Sequence, residues 1–324
     1  MSSSILFTIG KSQLTVPIIR ECNNFSLDII IGELREQQFS DGEFCVDFIS
    51  SVRGKKIYIL STLNNSNEII KLCLAIDAAK RAGAMEIIPI LPYFIYARGD
   101  KKDQSRGPIA GKMMAEMIEQ RGATSVITFD LHADQIQGFF TIPVIHIQGK
   151  NVFDTYIKDV YDAHTILCSP DAGGGKRVKR MKDQLEKRYY LQLNYVMLDK
   201  TRSEANVVDE MVIIGDVRGK NVIIIDDMVD TAGTLCKAAE VIMANGAKSV
   251  RAVITHGICS GAALARIENS VLTELVISDS LPKPWDTNGI YGNGKITVVS
   301  VGKQIGMAIA SMSNHLSYEE LKNK

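Results

Sequence analysis

Four consecutive aliphatic residues, Val222-Ile223-Ile224-Ile225, run directly into Asp226-Asp227-Met228-Val229-Asp230-Thr231-Ala232-Gly233-Thr234. The aliphatic run does not alternate with polar residues, so Val222–Ile225 reads as a strand covered on both faces. The small residues after it open a stretch of helical periodicity, Ala232–Ala244. A doubly covered strand that feeds a helix belongs to a βαβ unit in a parallel sheet. The alternation recurs along the chain. Strands are expected at Ile5–Ile9, Lys56–Ser61, Glu86–Leu91, Ser125–Phe129, Thr165–Cys168, Val250–Thr255, Glu274–Ile277 and Ile296–Val299. Helices are expected at Glu68–Arg81, Pro108–Gln120, Gly175–Lys187, Ser260–Asn269 and Lys303–Asn314, with Gly122 and Gly246 as stop signals. The fold class is therefore α/β, built of mainly parallel sheets flanked by helices, with sites at the C-terminal ends of strands.

The two halves repeat one another. Gly54-Lys55-Lys56-Ile57-Tyr58-Ile59-Leu60 lines up with Gly219-Lys220-Asn221-Val222-Ile223-Ile224-Ile225, and Ala82-Gly83-Ala84 with Asn245-Gly246-Ala247. A chain of 324 residues has the length for two domains. The expected boundaries are 1–150 and 151–300, with 301–324 a C-terminal helix and tail. At the matching strand ends the first half has Ser61-Thr62 and the second has Asp226-Asp227, so only the second copy carries the acidic site.

Composition narrows the partners. Lys plus Arg is 37 and Asp plus Glu is 37, a balance that disfavours both a nucleic-acid-coating polycation and an acidic tail. No apolar run approaches the roughly 18 residues of a membrane span, and the first residues carry no secretory pattern. The six cysteines are scattered without a CxxC pair, as in a chain kept reduced. The expectation is a cytoplasmic protein that binds neither nucleic acid nor membrane.

Each chemical motif has a physical reading. Small residues at a helix start let backbone N–H groups close on a phosphate, and Thr231 and Thr234 add hydroxyl donors. Asp226 and Asp227 suit sugar hydroxyls or a hydrated Mg²⁺ better than a phosphate. Asp171-Ala172-Gly173-Gly174-Gly175-Lys176-Arg177 is a second glycine-rich turn into a helix, fit to cradle a diphosphate. There is no GxxxxGK[ST] sequence, so a P-loop is excluded. His132 follows the strand ending at Phe129; His146, His164, His256 and His315 sit in no motif and read as structural. Lys200 and Arg202 fall in a polar segment, Asp199 to Asn206.

The Asp226–Thr234 loop resembles the phosphoribosyl-pyrophosphate motif of type I phosphoribosyltransferases and ribose-phosphate pyrophosphokinases. Further blocks resemble the class I ribose-phosphate pyrophosphokinases: Phe39-Ser40-Asp41-Gly42-Glu43, Tyr96 to Asp103, Ser105-Arg106, Asp130-Leu131-His132-Ala133, Gln135 to Phe140, Ser169 to Gly174 and Asp199-Lys200-Thr201-Arg202. The resemblance implies two tandem phosphoribosyltransferase-like domains, a final helix, roughly Lys303–Asn314, that packs back on the N-terminal domain, and transfer of a diphosphoryl group from Mg-ATP to ribose 5-phosphate. It implies that Asp226, Asp227 and Asp230 to Thr234 (with Ala232 and Gly233 between) hold ribose 5-phosphate, and that Asp171, Gly173 and Gly174 form the diphosphate loop. His132 and Asp171 would share Mg²⁺, the one cofactor, and Lys200 and Arg202 would close as a flap on the transferring group. Phe39, Asp41 and Glu43 would bind ATP from a loop reaching into a neighbouring subunit, with Arg98 and Asp103.

Ser51, Arg53, Lys102 and Arg106 resemble a regulatory anion site for phosphate or ADP, and the family forms dimers or hexamers. Two features depart from the pattern: Gly99, where the family usually has Gln, and the Pro- and Gly-rich loop Pro282–Gly294. The alternatives are a non-catalytic regulatory subunit and a phosphoribosyl-pyrophosphate-binding regulator or phosphoribosyltransferase. His132, Asp171, Lys200 and Arg202 occurring together argue against the first, and the intact Phe39–Glu43, Arg98–Asp103 and Asp130–Ala133 blocks against the second.

Overall fold

The aliphatic runs form the central strands of two parallel sheets. The computed structural model describes residues 4–10, 12–201, 210–282, 290–291, 294–314 and 316–322. It divides into two units: Met1–Gln148 with Ser280–Pro282 and Ser300–Lys324, and Gly149–Asp279 with Lys283–Val299. Among the described residues no helix is long and apolar enough to cross a membrane.

The first unit begins β1 (Ser4–Thr8), α1 (Thr15–Asn24), β2 (Ile29–Ile31), β3 (Leu34–Gln38), β4 (Phe44–Phe48) and β5 (Lys56–Leu60). It continues with α2 (Ser66–Arg81), β6 (Glu86–Leu91), α3 (Ala110–Arg121), β7 (Val126–Phe129), a 3₁₀ turn at Asp134–Phe139 and β8 (Val144–Ile147). Its sheet runs β2-β1-β5-β6-β7-β8, parallel throughout, with β3 and β4 as a separate antiparallel hairpin. Ile57 to Leu60 are wholly buried, as a strand covered on both faces requires. Each such side chain contributes about 1.5–3 kcal/mol by leaving water.

The second unit holds α4 (Lys150–Val160), β9 (Thr165–Ser169), α5 (Gly175–Tyr189), β10 (Tyr195–Thr201), β11 (Glu210–Ile214) and β12 (Asn221–Val229). After them come α6 (Gly233–Ala244), β13 (Ser249–Gly257), α7 (Ala263–Glu268), β14 (Glu274–Ser278), β15 (Ile290–Tyr291) and β16 (Ile296–Val299). Six parallel strands, β10-β9-β12-β13-β14-β16, are edged by antiparallel β11 and β15. Their order matches that of the first sheet.

The match extends to individual hydrogen bonds. Gly54 N–H donates to Gly83 O and Gly219 N–H to Gly246 O, both at 2.8 Å, and both donor glycines have φ of +67°. Met85 N–H donates to Lys55 O, and Lys248 N–H to Lys220 O, again both at 2.8 Å. Residues aligned by sequence thus make the same contacts in each unit, which supports a duplication.

The helix that follows the last strand of each sheet belongs to the other unit. α4 comes after β8 yet packs on α5, while α8 (Gly302–Ser313) comes after β16 and packs on α1; the short α9 (Tyr318–Lys322) follows it. Two glycines let α8 approach closely. A Cβ at Gly302 would lie 2.3 Å from Pro17 Cβ, and one at Gly306 would lie 2.9 Å from the Ile18 carbonyl oxygen and 2.5 Å from Glu21 Cβ. The backbone of α1 cannot yield as a side-chain tip can. Gly306→Val is expected to destabilise the protein by about 1–3 kcal/mol through overpacking. Thermal unfolding beside the exposed-site control Lys303→Ala checks it; equal melting temperatures for the two variants would refute the close contact.

Candidate active site

Three neighbouring strands of the second unit, β10, β9 and β12, deliver the expected chemistry at their C-terminal ends. The sequence places Asp226 and Asp227 just past a strand ending at Ile225. The structure corrects this: β12 continues to Val229 because β13 runs on beside it, pairing Asp226 with Ile254, Met228 with His256 and Val229 with Gly257. Strand alternation then gives the two acids different surroundings. The side chain of Asp227 is 4% exposed and that of Asp226 is 29% exposed. Asp227 N–H donates to Asp226 Oδ1 at 2.9 Å.

Arg177, in the first turn of α5, meets both acids, its Nη1 lying 3.7 Å from Asp226 Oδ1 and 3.4 Å from Asp227 Oδ1. Burial and the adjacent Asp227 charge push the Asp226 carboxyl well above the usual carboxylate range, and the Arg177 guanidinium opposes that rise. Arg177 is absent from the expected site. The signal for it is a cation at a helix N-terminus, where the macrodipole disfavours positive charge unless an anion compensates.

Past β12, Ala232 takes φ of +61° and turns the chain into α6, whose N-terminus has no side-chain cap. Thr231 and Thr234 are exposed there, and Arg266 braces the turn by donating to the Thr231 carbonyl at 2.7 Å. The half-buried Asp230 is held by its carbonyl, which accepts from Ser260 N–H at 3.0 Å. The equivalent helix of the first unit is closed. Asn65 caps α2 by accepting from the N–H groups of Asn67 (2.9 Å) and Glu68 (3.2 Å). One copy has a capped helix start after Ser61-Thr62; the other has an uncapped start after two acids.

The second glycine-rich turn follows β9. Asp171 Oδ1 accepts from Gly174 N–H at 2.8 Å, and Ser169 Oγ donates to the Asp171 carbonyl at 2.6 Å. Asp171 and Gly173 are exposed, and a Cβ at Gly174 would lie 2.7 Å from Ser169 Oγ. Lys200 is the penultimate residue of β10, paired with Met211 of β11, because Asp199 to Thr201 continue the antiparallel ladder. Arg202 lies outside the described residues.

The remaining expected residues belong to the first unit. His132 is exposed beyond β7, and Arg98 and Asp103 are exposed beyond neighbouring β6. Phe39, 45% exposed, tips the β3–β4 hairpin. Its N–H donates to the Glu43 carbonyl (2.8 Å), Gly42 takes φ of +96°, and Asp41 Oδ1 accepts from Glu43 N–H (3.1 Å). Ser51 and Arg53 precede β5, whereas Lys102 and Arg106 follow β6. In a parallel pair those are opposite ends, so β5 and β6 do not bring the four together. A side chain at Gly99 would start 3.0 Å from Ala110 Cβ, a space that α3 occupies here. Of the Pro282–Gly294 loop, most lies outside the described residues.

An acid whose pKa is raised by folding loses stability as pH climbs above its unfolded value, about pH 4. Asp226→Asn removes that loss, so its melting-temperature advantage over the wild type is expected to widen as pH rises above about 4. A gap independent of pH would contradict the raised Asp226 pKa.

Comparison with known proteins agrees with this geometry. A profile of the N-terminal domain of ribose phosphate pyrophosphokinase matches residues 12–122, and one of the phosphoribosyl synthetase-associated domain matches residues 193–322. A ribose-phosphate pyrophosphokinase from Porphyromonas gingivalis is 40% identical over 93% of this chain and 92% of its own. One from Oceanobacillus iheyensis is 44% identical over 86% of each. The crystal structure of phosphoribosylpyrophosphate synthetase from Mycobacterium smegmatis superposes with a TM-score of 0.86 at 30% identity, covering 97% of this chain and 100% of that one. With two sheets of matching order and one acid-rich, uncapped helix start, the chain belongs to the ribose-phosphate pyrophosphokinase family.

Proposed function

We propose that the chain transfers the β,γ-diphosphoryl group of Mg-ATP to the 1-hydroxyl of ribose 5-phosphate, giving 5-phosphoribosyl 1-diphosphate and AMP for nucleotide biosynthesis. The uncapped start of α6, which follows the strand carrying Asp226-Asp227, is the observation that carries it. The sugar's 5-phosphate takes the N–H groups and hydroxyls of Thr231 to Thr234, and Asp226 and Asp227 hold the ring hydroxyls. Arg177 offsets part of the repulsion between the two acids while the sugar enters. The anomeric oxygen then attacks the β-phosphorus, and the bond from that phosphorus to the bridging oxygen of AMP breaks in line. No side-chain base is required, because positioning and charge supply most of the acceleration.

Lys200, at the end of β10, and Arg202 bring positive charge to the transferring group. The diphosphate loop at Asp171, Gly173 and Gly174 offers backbone N–H groups to the product's new phosphates. Phe39 stacks on adenine, with Asp41, Glu43, Arg98 and Asp103 as its polar partners, and the hairpin serves a second copy of the chain in a dimer or hexamer. Phosphate or ADP would bind Ser51 and Arg53 of one copy with Lys102 and Arg106 of another.

Family membership implies a divalent metal, and Mg²⁺ fits the donors here. Among the described residues no three His, Cys, Asp or Glu side chains form a metal cage. Mg²⁺ keeps much of its water and needs only one or two protein ligands. The exposed Asp171 spends one oxygen on Gly174, and the acid pair at Asp226 and Asp227 favours a nearby cation. We assign His132 and Asp171 as its ligands. When bound, the metal neutralises and orients the triphosphate.

³¹P NMR with Mg²⁺ and ATP tests the reaction. AMP and diphosphorylated sugar are expected in equal amounts only when ribose 5-phosphate is present; no product from protein that binds the sugar would refute it. Lys200→Ala is expected to lower turnover by about 10³-fold with ribose 5-phosphate binding kept. Lost binding with intact turnover at saturation would contradict the role of Lys200.

A further inference from the structure

Asp130 takes φ of +35°, a left-handed backbone that is uncommon outside glycine and that Asp tolerates better than most residues. It opens the turn that carries His132, and the constraint comes from β8. The parallel ladder pairs Thr128 with His146 and Phe129 with Ile147, and Asp130 N–H extends it by donating to the Ile147 carbonyl at 2.7 Å. The next donor is the N–H of Leu131, a residue 2% exposed. It donates to a side chain instead: His146 Nε2 accepts at 2.9 Å.

That bond fixes the state of the ring. A backbone N–H can only donate, so Nε2 must present its lone pair. Turning the ring over would set a carbon against the amide, so the nitrogen assignment is not arbitrary. The ring proton therefore sits on Nδ1, which lies 3.7 Å from Asp134 Oδ1, on a side chain 4% exposed. The carboxylate favours a proton on that nitrogen, and hence an acceptor at Nε2.

We propose that His146 is a positioning residue: as the Nδ1–H tautomer it pins Leu131 and so sets where His132 offers its imidazole to Mg²⁺. This rests on the assignment of His132 as a metal ligand. The sequence alone reads His146 as structural because it sits in no motif. Its partner is a backbone amide, which leaves no trace in residue types.

Two measurements on metal-free protein test the geometry. ¹⁵N NMR of the imidazoles is expected to show His146 with Nδ1 protonated and Nε2 bare; a protonated Nε2 would overturn the proposal. Amide exchange at Leu131 is expected to accelerate in His146→Leu, which keeps bulk without an acceptor, and to return toward wild type in His146→Gln, whose carbonyl can accept. Unchanged exchange in the Leu variant would also overturn it.

In the active enzyme, His146→Leu is expected to raise the Mg²⁺ half-saturation about 10-fold, as loss of an outer partner of a metal ligand does. The KM for ribose 5-phosphate should hold, and His146→Gln should restore the Mg²⁺ dependence. Equal Mg²⁺ dependence in the Leu and Gln variants would contradict the positioning role. His132→Ala separates the premise: if it leaves the Mg²⁺ dependence unchanged, the ligand assignment fails, while the tautomer and exchange results still judge His146 itself.

Discussion

Two adjacent carboxylates on a largely buried strand repel one another, and the second unit is arranged around that constraint. Burial and mutual repulsion raise Asp226, and Arg177 reaches both acids from the first turn of α5. The pair is useful because it is costly. Two carboxylates beside one cation leave an excess of acceptors that the donors of a ligand can relieve. The parallel order of β10, β9 and β12 then places three different kinds of site at one end of one sheet. Loops that start from the same sheet edge need no long excursions to converge.

Duplication supplied this frame twice, and small changes separate the copies. The strand order and the turn hydrogen bonds of Gly54 and Gly219 persist. The helix starts do not. Asn65 satisfies two N–H groups of α2 internally, so that end offers a phosphate little. At α6 the chain turns through Ala232 in a left-handed conformation and leaves the same groups uncapped. Backbone strain of this kind persists only where the surrounding structure enforces it.

Strands buried on both faces were legible in the sequence because an unbroken aliphatic run admits few other readings, as at Ile57–Leu60 and Val222–Ile225. Half-exposed elements were not. The β3–β4 hairpin begins Leu34-Arg35-Glu36-Gln37-Gln38, which is too polar to announce a strand, and Pro17 disguises the start of α1. The end of β12 was misjudged because acids rarely continue a strand; here the neighbouring ladder of β13 outweighs that preference. Motif blocks named the acids, the glycine turns and His132. They could not show that Arg177 meets the acid pair or that His146 holds Leu131, because those contacts join elements far apart in sequence.

The central claim is that the copies divided their labour, so that the sugar phosphate meets the helix start of the second and not of the first. Titrating ribose 5-phosphate into ¹⁵N-labelled protein tests this most directly. The account predicts saturable shifts at the amides of Gly233 and Thr234 and none at those of Asn67 and Glu68. Shifts at the start of α2, or silence at the start of α6 under saturating sugar, would contradict it.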